Sequence, residues 1–242
     1  MSTPLAAAIR RGLAEHADPD KAEGMRAYMK SAMPYRGVQK PALRSLVKDA
    51  LKERPIADKE TWIAVVRELW DHAGFREERY AALQVAGARG CQAFRTFDTL
   101  PMFEHMVTSG AWWDFVDDIA SHRLRELLER FPAETAPQMR AWSRDPDMWK
   151  RRSAILCQLG RREQTDLDLL FDCIEPNLSD REFFIRKGIG WALRDLAYSN
   201  LGVVEEYVER NRERMSALSA REALKNAEKL RSGGRRPSRA RA

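Results

Sequence analysis

Two tryptophans and three carboxylates fall within eight residues, Ala111-Trp112-Trp113-Asp114-Phe115-Val116-Asp117-Asp118. The stretch follows the helix breaker Ser109-Gly110 and reads as the first turns of a helix. At about 100° per residue, Trp112, Phe115, Val116, Ile119 and Ala120 share one arc, the core stripe. Asp114 and Asp118 fall opposite, toward solvent. Asp117 falls beside Trp113, one turn away, at the edge of the apolar arc. A carboxylate is thereby set against an indole where an open cleft could use both. The positive end of a helix dipole accounts for Asp114 and accounts poorly for Asp117.

Two further helices carry residues on the wrong face. Over 147–160, Met148, Trp149, Ile155, Leu156 and Leu159 form one stripe, with Arg152 in its middle. An unpaired buried cation costs several kcal/mol. Arg152 therefore pairs with a carboxylate or phosphate, in a structural salt bridge or otherwise, or its stripe faces a cleft. Lys150, Arg151, Arg161 and Arg162 make this segment basic, and no acid interrupts it. Over 180–199, Ile185, Ile189, Ala192, Leu193 and Leu196 form the core face. Trp191 lies about 150° from the middle of that arc. Its neighbours there are Lys187, Arg194 and Tyr198. Cations that reach phosphates beside an indole that presses on a sugar or base suit a nucleic-acid surface. Packing of another helix on that face is the competing reading. Gly188 and Gly190 weaken the helix and permit close backbone approach.

The elements that carry these residues read as helices throughout. Alternating β-branched runs are absent, and Leu, Ala, Arg and Glu dominate. Ser2-Thr3-Pro4, Asp18-Pro19 and Asp58 mark helix starts. Further helices are predicted over 98–109, 112–130, 134–143, 166–175, 201–215 and 218–230. From Asp58 onward, helix pairs recur every 32 to 40 residues or so, the size of a helical-repeat unit. The expected fold is an all-α superhelical solenoid of stacked helix pairs with a concave surface. An irregular all-α globule is the alternative. One domain is expected over 1–230, with a disordered arginine-rich tail over 231–242.

Composition narrows the partners. The formal charge is +6, but five of the 42 basic residues lie in the last twelve positions, which hold no acid. The remaining 37 face 36 acidic residues, so the body is nearly neutral and total charge does not argue for nucleic acid. Cys91, Cys157 and Cys173 lack ligand spacing and read as buried free thiols. The scattered His16, His72, His105 and His122 form no i, i+4 pair, so no metal or cofactor is expected. No apolar run approaches the roughly 20 residues of a membrane span, and Met1 to Arg11 lacks a signal core. A cytoplasmic protein without membrane contact is expected.

Several segments together resemble the AlkD-type DNA alkylation repair family, DNA glycosylases built of HEAT-like repeats. They are Lys21-Ala-Glu-Gly-Met-Arg-Ala-Tyr-Met-Lys30, Arg67-Glu-Leu-Trp70, Ala111-Trp-Trp-Asp-Phe-Val-Asp117, Trp149-Lys-Arg-Arg-Ser-Ala-Ile-Leu156 and Glu182-Phe-Phe-Ile-Arg-Lys-Gly-Ile-Gly-Trp-Ala-Leu-Arg194. The likeness runs from about Pro19 to Lys225. The tail and the loop Gly160 to Thr165 depart from it. By similarity, Trp113, Asp117, Arg152 and Trp191 match the family's active-site positions, the same four that helical geometry singles out. Tyr28 matches a cleft aromatic. Lys187, Arg194 and Arg151 are expected to contact DNA.

The resemblance implies a monomeric, nucleoid-associated glycosylase acting on duplex DNA with cationic N3- or N7-alkylated purines. Such a base departs as a neutral purine, so the leaving-group acid that glycoside hydrolases ordinarily need is dispensable. One carboxylate, Asp117, would stabilise the oxocarbenium-like sugar and position or deprotonate water. Trp113 and Trp191 would flank the deoxyribose, and Arg152 would hold a phosphate and orient Asp117. The family grips the backbone while the base stays stacked, an exception to base flipping. A non-catalytic repeat scaffold binding DNA, RNA or protein is the alternative.

Overall fold

The computed structural model describes residues 3–232, so positions 233–242 of the predicted tail lie outside the described residues. Every regular element among the described residues is helical, as expected of an all-α chain. The expected domain over 1–230 is drawn without internal division; the chain falls into two compact units, one ending at Thr96 and the other beginning at Phe97.

The first unit contains α1 (Pro4–Glu15), α2 (Pro19–Met29), α3 (Lys40–Glu53), α4 (Lys59–Asp71) and α5 (Arg76–Ala86). The side chains of Thr3, Asp18 and Asp58 cap α1, α2 and α4, each accepting a backbone N–H of the first turn. Helices α1, α3, α4 and α5 pack around Ile9, Leu13, Trp62, Leu69 and Trp70, all withdrawn from water. The segment leading to α3 is pinned by the buried carboxylate of Glu77. It accepts the backbone N–H groups of Arg36, Gly37 and Val38 at 2.8–3.1 Å. Gly37 has φ 86°, and a Cβ there would lie 1.9 Å from the Asp18 carbonyl oxygen. Only glycine lets this segment press on the start of α2, the helix that carries Tyr28.

The second unit begins with α6 (Leu100–Gly110) and α7 (Trp113–Asp118). Helix α7 continues through a wider π-helical stretch, Ile119–Leu124, into α8 (Arg125–Arg130). There follow α9 (Pro132–Trp142), α10 (Met148–Leu156), α11 (Leu167–Ile174), α12 (Phe183–Ala197), α13 (Leu201–Arg210), α14 (Ala217–Ala223) and α15 (Ala227–Arg231). Phe103, Met106, Phe115, Ile119, Leu124, Leu127 and Trp142 form the core. Helix α10 packs against α6, α7, α9, α11 and α12. With neighbours on every side, residues 152–159 are all buried, where the sequence predicts one apolar stripe.

The helix predicted over 218–230 is two, α14 and α15, joined by a turn. In that turn Asn226 donates to the Tyr198 hydroxyl at 2.7 Å. Arg231 ends α15, where its Nε donates to Glu205 at 3.0 Å, so helix extends into the first residue of the predicted tail. The three cysteines are buried, as expected, and burial pushes the Cys173 thiol up to about 12. Among the described residues no helix is long and apolar enough to cross a membrane.

Candidate active site

The approach to the site is a reversal of the chain. The helix break expected at Ser109-Gly110 falls one residue later. Gly110 stays helical, and Ala111 takes the left-handed conformation with φ 40°. A residue with a Cβ adopts it at some cost, and such strain clusters at functional sites. Trp112 is then extended, and α7 starts at Trp113. The reversal sends the two indoles to different places. Trp112 packs among aromatic rings, 5.6 Å from Phe184 edge-on and 6.2 Å from Trp149. Trp113 opens the helix beside a cleft, and Asp117 follows one turn later.

Arg152 resolves its own anomaly by pairing with Asp117. Nε donates to Oδ1 at 2.8 Å and Nη2 to Oδ2 at 2.9 Å, a two-pronged pairing that fixes the plane of the carboxylate. Nη1 donates to the Phe184 carbonyl. All three guanidinium nitrogens are engaged, and the side chain is only 5% exposed. A Cβ at Gly188 would sit 3.2 Å from Nη1, so glycine at that point of α12 leaves room for the guanidinium. Burial pushes the Asp117 carboxyl above its ordinary range, against the pull of Arg152, and Asp114 and Asp118 reinforce the rise.

The face of α12 that bears Trp191 is not bare. Helix α14 packs beside it, along Arg186, Lys187, Gly190 and Arg194, and Gly190 makes this possible. A Cβ at Gly190 would be 2.5 Å from the Glu222 Cβ and 2.9 Å from the Ser219 carbonyl oxygen. The close approach read from the glycines therefore serves packing of helix on helix. It delivers Glu222 between the two cations that flank Trp191. Lys187 donates to Oε1 at 2.9 Å, and Arg194 donates to Oε2. Lys187 above all, then Arg194, holds the Glu222 carboxyl down at about 2, against its partial burial.

Trp113, Asp117, Arg152, Lys187, Trp191 and Arg194 thus line one open cleft of about 360 Å³, together with Phe183, Phe184 and Glu222. Arg151 points elsewhere, with Nη2 donating to Asp180 at 3.0 Å and Nη1 to the carbonyls of Asp145 and Pro146. Lys150 pairs with Glu104 and Asp145, so the basic run of α10 is largely neutralised locally. Tyr28 belongs to the first unit, 77% exposed near the end of α2. Sequence reasoning passed over three lining residues. Phe183 and Phe184 sat inside a quoted segment as an adjacent aromatic pair, a usable signal. Glu222 gave none, being one of the 36 acids of the chain.

A model of DNA alkylation repair enzymes matches residues 9–227. The chain belongs to the DNA alkylation repair enzyme family. Within that family a solved structure, described as "Predicted DNA alkylation repair enzyme from Enterococcus faecalis", is 29% identical. The match covers 94% of this chain and 98% of that one, with a TM-score of 0.78. No curated sequence matches this family member. As a DNA alkylation repair family member it carries, in one cleft, two carboxylates, two indoles and three cations.

Proposed function

We propose that this protein is a monofunctional DNA glycosylase that releases N3- and N7-alkylated purines, such as 3-methyladenine and 7-methylguanine, from duplex DNA. The observation that carries the reading is the Asp117 carboxylate, locked by Arg152 at the wall of a cleft lined by Trp113 and Trp191. As the N-glycosidic bond breaks, positive charge grows on the sugar. A pre-positioned anion stabilises it without reorganisation, and the faces of the indoles add to that. Asp117 also accepts a proton from, or orients, the attacking water.

The leaving base needs no acid, because the alkylated purine departs neutral. The second carboxylate of the cleft agrees with this. Glu222, held near 2, has no proton to give at neutral pH. Arg152 orients Asp117. With its nitrogens donating to protein, it leaves DNA phosphates to the more exposed Lys187 and Arg194. An open cleft rather than an enclosed pocket favours gripping the backbone while the base stays stacked. Lability of the glycosidic bond, rather than fit of the base, then selects the substrate.

The test is direct. Incubation with methylated duplex DNA should yield free 7-methylguanine and 3-methyladenine, resolved by chromatography, and leave abasic sites without strand cleavage. Binding to methylated duplex with no base released would transfer the protein to the class of non-catalytic scaffolds.

A further inference from the structure

The cations on either side of Trp191 are already occupied. Lys187 stands one turn before the indole and Arg194 one turn after it, and a single carboxylate, Glu222, takes one oxygen to each. Arg194 also donates to the Glu222 backbone carbonyl at 3.4 Å. The arrangement is built rather than incidental. The N-cap Ser216 holds the first turn of α14, accepting from the Ser219 N–H at 3.0 Å. The Ser219 hydroxyl, itself buried, donates to the Arg186 carbonyl of α12 at 2.9 Å. Gly190 removes the one side chain that would hold α14 off. With Glu222 present, the three cations of the cleft face two carboxylates, so the local charge is close to balance.

An anion bridging two cations with two oxygens presents what a DNA phosphate presents. We infer that Glu222 is an internal stand-in for a backbone phosphate, holding Lys187 and Arg194 in register beside Trp191 and withholding them from duplex until a phosphate displaces it. A strand entering the cleft must bring a phosphate that displaces the Glu222 carboxylate from at least one cation. Ordinary DNA meets this competition at every step along the helix. Glu222 on this account lowers the affinity of the cleft for duplex and leaves selection of the site to the lability of the glycosidic bond. The inference rests on the duplex-binding part of the function proposed above.

Salt dependence reads it. Each phosphate neutralised by a protein cation adds about 0.9 to the slope of log K against log salt. The full chain and its Glu222→Gln variant are titrated with unmodified duplex from 50 to 200 mM salt, after thermal melting has shown that the variant is folded. Glutamine keeps the shape of the side chain and removes the charge. The variant should bind more tightly at low salt, with a slope steeper by about one to two, hence roughly tenfold more affinity lost across that range. Adding Lys187→Met to Glu222→Gln should reverse part of that steepening, while Lys187→Met alone should change the slope little. If Glu222→Gln does not fold, Glu222→Asp serves. It is one methylene short of spanning both cations and should steepen the slope by about one. Weaker binding with an unchanged slope in the folded variant would overturn the inference, making Glu222 a mere structural brace. Base release by the unaltered chain reports separately on the glycosylase. Release with no steepening sinks the stand-in alone, and steepening with no release sinks the glycosylase alone.

Discussion

Two carboxylates line the same cleft, and their surroundings drive them in opposite directions. Asp117 meets one guanidinium in a desolvated wall, and burial lifts its pKa in spite of that partner. Glu222, its side chain no more exposed than that of Asp117, meets two cations that are themselves more exposed than Arg152, and they hold it near 2. Pairing alone therefore does not set the behaviour of an acid. The balance between desolvation and the number of cations does. Asp117 is kept basic enough to serve a growing positive charge, while Glu222 is kept permanently ionised and serves only its cations.

The largest effect that would break this contrast lies in Asp117→Asn. Release of 7-methylguanine should fall by on the order of 10²–10⁴-fold, with duplex affinity nearly unchanged. Undiminished release would take Asp117 out of the chemistry. Next comes the difference between the two cation partners. Arg152→Ala strands a buried carboxylate and should destabilise the fold by about 3–5 kcal/mol in denaturant melts. Arg194→Ala leaves Glu222 still paired with Lys187 and should cost about 1 kcal/mol or less. Equal losses would mean that the pairs of Glu222 are as desolvated as that of Asp117.

The pH dependence sharpens the same contrast, because the signs differ. Glu222 has a lowered pKa, so it contributes stability above its ordinary 4.5 that is lost as pH falls toward about 2. Glu222→Gln should flatten that part of the acid-unfolding curve. Asp117 has a raised pKa, so its folded form favours the proton. Its contribution to stability is present below the ordinary 3.8 and is lost as pH rises through the raised value. Base release, which needs the ionised form, should fall away on acidification at a pH above 3.8. The smallest effect belongs to the tail. Removing residues 233–242 deletes four arginines and should make the salt slope of binding shallower by up to about three or four, leaving single-turnover excision intact.

The sequence by itself determined what depends on local repetition. Helix starts at Thr3, Asp18 and Asp58 were legible because a cap acts within one turn. Asp117 beside Trp113, Arg152 among apolar neighbours and Trp191 off the core face were legible because helical geometry is fixed at 3.6 residues per turn. Tertiary structure decided who meets whom. Asp117 and Arg152 are 35 residues apart, and Glu222 lies 35 residues from Lys187 and 28 from Arg194. The two-pronged pairing, the Phe184 carbonyl that completes it and the carboxylate that occupies Lys187 and Arg194 all arise from helices docking across the second unit. No periodicity records those contacts, because docking is set by which faces bury together and by where a missing Cβ, as at Gly188 and Gly190, lets them close.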